Sequence, residues 1–323
     1  MDAIQIAPNH ADHISGYREK YLEEMIKNEL VIAQPKYDGE RMLIHVCKGQ
    51  IFCTSRRHSK KTDRYMENQD KLPVLKEILK PILDLDYTVI DCECYAKDWS
   101  TIVGILHSLP ERAIELQKED EAKFACFDCL WYDGKELSTA PYMYRLQHLF
   151  DILKVVNHDN FHFVQLMNKS SISTTLEPVE SLEDIYSRMN LAIKSGFEGI
   201  VVKSMNRTYY EKGASLKVKK FETLDVVVCG YQQGRGKYAD TIGALEIGYY
   251  DEDKDEVIRI SRVNCGTDEE RDLWRDNWEE WKNTVIEVKC QEVTEKSLRH
   301  PVYIRRREDK DYKSCTRETI FKN

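Results

Sequence analysis

The chain has 323 residues, 41% of them hydrophobic and 32% charged, with only 14 glycines and 8 prolines. That apolar supply is enough for packed cores, which excludes disordered, collagen-like and low-complexity classes, and the length favours two domains. The formal net charge of −8 excludes a uniformly basic coat for nucleic acid, so phosphate contacts must come from local cationic stretches such as SRRHSKKTDR from Ser55 and KSLRHPVYIRRR from Lys296.

In chain order, the first twenty residues lack the basic flank and apolar stretch of a signal peptide, and no apolar run reaches membrane-spanning length. A cytoplasmic protein without a membrane partner is expected. Apolar positions at helical spacing predict a helix from Ile14 to Asn28. ELVIAQP is a short strand, and MLIHV and QIFCTS flank Lys48-Gly49 as a hairpin. TVIDCECYA, KFACFDCLWY, FHFVQLM, GIVVKS and SLKVKKF follow as β-rich runs. Among them, SLEDIYSRMNLAIKSG reads as a helix with Ser181 as its cap, Asp184 three residues on and Gly196 past its end. After Phe221 come DVVVCGYQQ, GALEIGYY and EVIRISRV, then a Trp-rich amphipathic helix and VIEVKCQEV. Five or so strands with one helix suit a small antiparallel barrel of the oligonucleotide-binding kind. The predicted fold is α+β, with one domain over residues 1–222 and the barrel over 223–323. The ten cysteines sit mostly in apolar or strand-like runs and read as buried free thiols. Along a strand, Cys126 and Cys129 would face opposite ways, and no second pair stands at zinc-site spacing.

The segment with the clearest chemistry is KYDGER, Lys36 to Arg41, between two predicted strands. A lysine at a strand end before a tight Asp-Gly turn is held rigidly, as a nucleophile attacking phosphorus in line must be. Taken alone it is equally a surface lysine before a turn. Further along stand SRR at Ser55, DCE at Asp91, FDCLWYDG at Phe127, EGIVVK at Glu198, KVK at Lys217 and RRREDK from Arg305.

This ordered set resembles the motifs of the covalent nucleotidyltransferase superfamily, and GYQQGRGKYADTIGALEIGYYD and SLRHPVYIRRREDK resemble ATP-dependent DNA ligases in particular, of the small phage or viral type. The resemblance covers nearly the whole chain. It implies an adenylation domain of antiparallel sheets with flanking helices, followed by an OB-fold domain. It also implies that Lys36 takes AMP from ATP as a phosphoramidate, passes it to the 5′-phosphate of nicked double-stranded DNA, and that the 3′-hydroxyl then displaces AMP. Lys217, Lys219 and a bound magnesium ion would provide the positive field that lowers the lysine pKa and stabilises the departing pyrophosphate. Glu93 and Glu198 fall at metal- or ribose-binding positions, and carboxylate oxygens are what magnesium requires. Gln34, Arg41, Arg56, Phe127 and Lys203 fall at nucleotide-binding positions, with Phe127 stacking on adenine. Arg305, Arg307, Asp309 and Lys310 match the motif that orients the β and γ phosphates, which requires a hinge, expected at Phe221 to Asp225.

Two positions depart from the family pattern. Gln34 stands where glutamate is usual, although an amide oxygen also accepts a hydrogen bond. Asp91-Cys92-Glu93 replaces Asp-Gly-Glu. GRGK at Gly234 lacks the length and hydroxyl residue of a P-loop. With about 35 residues before Lys36, no separate N-terminal DNA-binding domain is expected; a monomer is, and no clamp-binding motif is found. The alternatives are an mRNA capping guanylyltransferase, which uses GTP, an RNA ligase, and a nick-binding protein with a relic site.

Overall fold

Valine, isoleucine and aromatic residues alternate through the first two-thirds of the chain, and the computed structural model shows them as two sheets packed under helices. It describes residues 12–13, 16–59, 62–219, 221–264, 266–290, 292–294 and 296–321. The chain divides into two compact units, Met1–Lys219 and Lys220–Asn323.

In the first unit, helix α1 (Gly16–Asn28) leads into strand β1 (Val31–Pro35), followed by β2 (Glu40–Cys47), β3 (Gln50–Ser59), β4 (Thr88–Tyr95) and β5 (Lys123–Tyr132). Helices α2 (Tyr142–Val156) and α3 (Leu182–Lys194) precede β6 (Gly199–Ser204) and β7 (Ser215–Lys219). Strands β3, β2, β4 and β5 lie side by side, antiparallel, in the larger sheet. The smaller sheet runs β1, β6, β7, also antiparallel. The four residues after Pro35 carry the chain from the smaller sheet to the larger. Ile44, Ile90, Ile105, Cys126 and Leu149 share the core of the larger sheet; Leu22, Met25, Ile185, Ile200 and Val218 share that of the smaller one. Ser181 caps α3 by accepting from the Asp184 amide, as its sequence predicts. Helix α2 has no counterpart among the predicted helices, yet its buried Tyr142, Leu146, Leu149, Ile152 and Val156 recur at helical spacing.

The two cysteines of the CxxC do not face opposite ways. The β4–β5 register steps from Cys92 opposite Cys126 to Asp91 opposite Asp128, leaving Phe127 as an extra residue. Such a bulge inverts the alternation beyond it. Both cysteines are therefore buried in the same core. All nine cysteines among the described residues are free thiols, and Cys265 lies outside those residues.

The second unit comprises β8 (Glu222–Gln233), β9 (Ile242–Asp251), β10 (Glu256–Val263), helix α4 (Asp268–Asp276), β11 (Val285–Cys290) and β12 (Val302–Arg306). The sheet order is β10, β9, β8, β11, β12, and a bridge between Asn264 and Val302 brings its two edges together. The strands make an OB-fold barrel around Val226, Leu245, Ile247, Ile286 and Val288, with Trp274 of α4 in the same core. The predicted Trp-rich helix is broken at Asn277, and Trp278–Trp281 forms a separate turn. Within the hinge expected at Phe221 to Asp225, Glu222 to Asp225 are paired as strand with Cys290 to Glu287.

Candidate active site

Lys36 lies one residue beyond the end of β1, where the chain leaves the smaller sheet for the larger. Its backbone stays in the ladder: its amide donates to the carbonyl of Gly199 at 2.9 Å, and its carbonyl accepts from the amide of Glu198 at 3.1 Å. Gly199 has a φ of +148°, and a Cβ there would lie 2.3 Å from the Val218 carbonyl oxygen. Only glycine permits so close an approach of β6 to β7. Gly39 has a similar role, since its Cβ would lie 2.4 Å from the Cys94 carbonyl oxygen and 3.0 Å from the Glu93 side chain. Behind the lysine, Tyr37 packs on Tyr95 and Phe197 with ring centroids 4.7 and 5.0 Å away.

The Lys36 ammonium is hydrogen-bonded to the Glu198 carboxylate, which Lys219 also meets at 3.3 Å. Burial pushes the Glu198 carboxyl up, but Lys36 and then Lys219 outweigh it and hold it below the usual carboxylate range. Among the described residues no carboxylate pairs with Lys217. Burial first, then the charges of Lys36, Arg56, Lys219 and Arg41, bring its ammonium down to about 8. Burial raises the Glu93 carboxyl to about 7, with Lys36 and Arg41 opposing and Asp91 and Glu198 adding to the rise. A partly buried carboxylate among like charges is relieved by a divalent cation, so Glu93 fits magnesium, with Glu198 close enough to share it once Lys36 has left, since magnesium takes one or two protein carboxylates and otherwise phosphate and water oxygens. Among the described residues no group of three or more His, Cys, Asp or Glu is gathered for a metal.

Arg41 and Glu93 stand opposite each other on β2 and β4. The Arg41 guanidinium grips the fully buried Asp91 with bonds of 2.9 and 2.5 Å and donates to the Tyr209 hydroxyl at 2.9 Å, which itself donates to Asp91 at 2.5 Å. Burial works against the Arg41 charge, but Asp91 more than compensates and raises its pKa. Beside it, Phe127 is carried outward on its bulge, with Arg41 Cζ 5.2 Å and Lys203 Nζ 4.5 Å from its ring centroid. Burial lowers the Lys203 ammonium to about 8 against the pull of Asp128 and Asp91. Asp128 is paired with buried Arg145 of α2 at 2.8 and 3.0 Å. Gln34, 2% exposed, bonds to Tyr142.

The first unit thus gathers Gln34, Lys36, Arg41, Glu93, Phe127, Glu198, Lys203, Lys217 and Lys219, and Arg56, exposed on β3, lies near enough for its charge to act on Lys217. Tyr142, Tyr209 and Arg145 were not among the predicted residues. The remaining four lie in the second unit. There Asp225 takes bonds from Arg307 at 3.1 and 3.2 Å and from Lys310 at 2.5 Å, Asp309 takes bonds from Arg307 at 2.8 and 2.7 Å, and Arg305 is bonded to Glu287 at 2.6 Å.

A lysine held by its backbone between the two sheets thus stands among two carboxylates and several cations. Residues 9–221 match the ATP-dependent DNA ligase domain family, and the chain belongs to that family. A DNA ligase of Caldivirga maquilingensis is 30% identical over 289 residues, spanning 83% of this chain and 44% of the relative. One of Saccharolobus solfataricus is 27% identical over 363 residues, spanning 97% and 57%. The chain spans about half the length of the relatives it matches. Among solved structures, Pmar-Lig_PreS3 superposes with a TM-score of 0.70 at 16% identity, over 94% of this chain and 68% of the other. A Lig E DNA ligase gives 0.64 at 15% identity, over 94% and 100%. These likenesses establish the two-domain fold. No described helix is long and apolar enough to cross a membrane.

Proposed function

We propose that this chain is an ATP-dependent DNA ligase that seals nicks in duplex DNA through a lysyl-AMP intermediate on Lys36. The observation that carries this reading is the anchoring of Lys36 by both its backbone groups at the crossover between the sheets, with Glu198, Lys217 and Lys219 around its amine. Lys36 must part from Glu198 and lose its proton before it attacks the α-phosphorus of ATP. The N–P bond forms as the bond to the pyrophosphate oxygen breaks, and Lys217, Lys219 and Arg41 face the charge that develops. Mg2+ held by Glu93 and Glu198 would neutralise phosphate charge there. Gln34, Phe127 and Lys203 bind the nucleoside; Arg56 binds phosphate or ribose. The AMP then passes to a 5′-phosphate, and a 3′-hydroxyl displaces it. Arg305, Arg307, Asp309 and Lys310 are assigned to orienting the β and γ phosphates, and the protein works as a monomer.

Incubation with α-32P-ATP and magnesium, followed by a denaturing gel and by a nick-sealing assay, tests the reading. Covalent label on Lys36 that chases into sealed duplex is expected. Label from GTP in place of ATP would favour the capping reading, and DNA binding without label the relic site.

A further inference from the structure

The Tyr142 hydroxyl stands between Gln34 and the backbone of Phe127. Gln34 and Tyr142 are each only 2% exposed. The hydroxyl lies 2.7 Å from the Phe127 carbonyl oxygen and 3.0 Å from the Gln34 side-chain amide. A carbonyl oxygen has no proton to give, so the 2.7 Å contact uses the one proton of the phenol. Burial holds that phenol well above its ordinary pKa, so the proton stays on it. Toward Gln34 the phenol oxygen is then only an acceptor, and it requires the Nε2 side of the amide. With the amide reversed, two acceptor oxygens would meet in a buried space. Lys203 holds the frame, donating to the same carbonyl at 3.2 Å with its ammonium 4.4 Å from the Tyr142 ring centroid and 4.5 Å from that of Phe127.

We propose that Tyr142 sets the nucleobase choice of this site: it fixes the Gln34 amide so that its oxygen is the group left to meet the base, selecting a purine with a 6-amino group over one with a 6-oxo group. The proposal rests on the nucleotidyl-transfer reading above. A freely turning glutamine offers an acceptor in one orientation and a donor in the other, and serves adenine and hypoxanthine alike. A glutamate would need no such lock, having only acceptors. The phenol therefore does for glutamine what charge does for glutamate. Tyr142 is a positioning residue here, acting through Gln34.

The test compares ATP with inosine triphosphate, which differs from it in the 6-substituent and the proton that the 6-oxo form carries on N1, as α-32P label transferred to Lys36 of the full chain. The unsubstituted protein should prefer ATP, and Tyr142→Phe should lower the ATP-to-ITP ratio of labelling efficiency about tenfold, the worth of one well-placed hydrogen bond, mainly through the ATP KM. Adding Gln34→Glu to Tyr142→Phe should restore the preference. An unchanged ratio in Tyr142→Phe, or no restoration in the double variant, overturns the proposal. If the unsubstituted protein takes no label from either nucleotide, the nucleotidyl-transfer reading falls, and the proposal with it. Should Tyr142→Phe fail to fold, 15N spectra of the unsubstituted protein decide: slow exchange of the Gln34 side-chain amide protons supports the lock, and fast exchange overturns it.

Discussion

Lys36 and Asp91 illustrate two different ways in which a single residue matters here. Lys36 has its backbone in the ladder and its amine on Glu198, so truncation removes the proposed nucleophile and leaves the strand pairing intact. Lys36→Ala is expected to give no covalent AMP while melting as the parent does; label persisting on that variant would refute the assignment. Asp91 is fully buried beneath Arg41 and Tyr209. Asp91→Ala takes the carboxylate away from a half-buried guanidinium and should cost about 3 kcal/mol in urea denaturation, as well as raising the ATP KM. Lys203 and Lys217 give a pH dependence. Their ammoniums are lowered from 10.5 to about 8, so the fold favours the neutral amines. Their contribution to stability is full above the ordinary value and is lost as pH falls through about 8. Stability attributable to them therefore rises from about pH 8 to about pH 10.5, and Lys203→Met should flatten that part of the denaturation profile. A profile unchanged by the substitution would count against the buried charge.

At the scale of elements, the site depends on strands that approach too closely for side chains. Gly199→Ala would drive a Cβ into the Val218 carbonyl at 2.3 Å and force β6 from β7. Because the Lys36 amide is bonded to Gly199, the displacement reaches the nucleophile. A stability loss of about 1–3 kcal/mol with near-complete loss of AMP labelling is expected. The contrast is Ser181→Ala, which removes the α3 cap and should cost about 1 kcal/mol with labelling unchanged. Equal loss of labelling in both variants would show that global stability, and not strand geometry, limits the reaction. The bulge at Phe127 belongs to the same scale: one extra residue in β5 brings both neighbouring cysteines into the core and turns the aromatic ring toward Arg41 and Lys203.

For the molecule as a whole, the two basic stretches carry less free charge than their composition implies. In the first, Arg57 reaches Glu40 at 3.7 Å and Arg64 reaches Glu67 at 3.5 Å. In the second, Arg305 and Arg307 are engaged by Glu287, Asp225 and Asp309. Each exposed pair is weak and yields to a phosphate at small cost. Nick binding should therefore weaken steeply with salt, and a flat response between about 50 and 200 mM salt would refute a phosphate-based grip. If the second unit serves the pyrophosphate, the double substitution Asp309→Ala and Lys310→Ala should block AMP labelling but spare sealing of a nick that already carries AMP. Loss of both to the same degree would place these residues elsewhere in the reaction.

The sequence by itself determined the strands, the capped α3 helix, the five-stranded second unit and the ordered motifs that the family match also covers. These are local: side-chain periodicity, turn glycines and capping residues act over a few neighbours, and motif spacing is written along the chain. Tertiary structure decided what lies across from what. The Phe127 bulge depends on the register of a partner strand, and Glu222 to Asp225 became strand only because β11 was there to pair with them. Tyr142 and Tyr209 come from segments more than fifty residues away from the groups they bond, Gln34, Arg41 and Asp91. A phenol in a helix or loop carries no mark of the amide or guanidinium it will meet, because that pairing follows from burying two sheets and a helix against one another and satisfying the polar groups trapped between them.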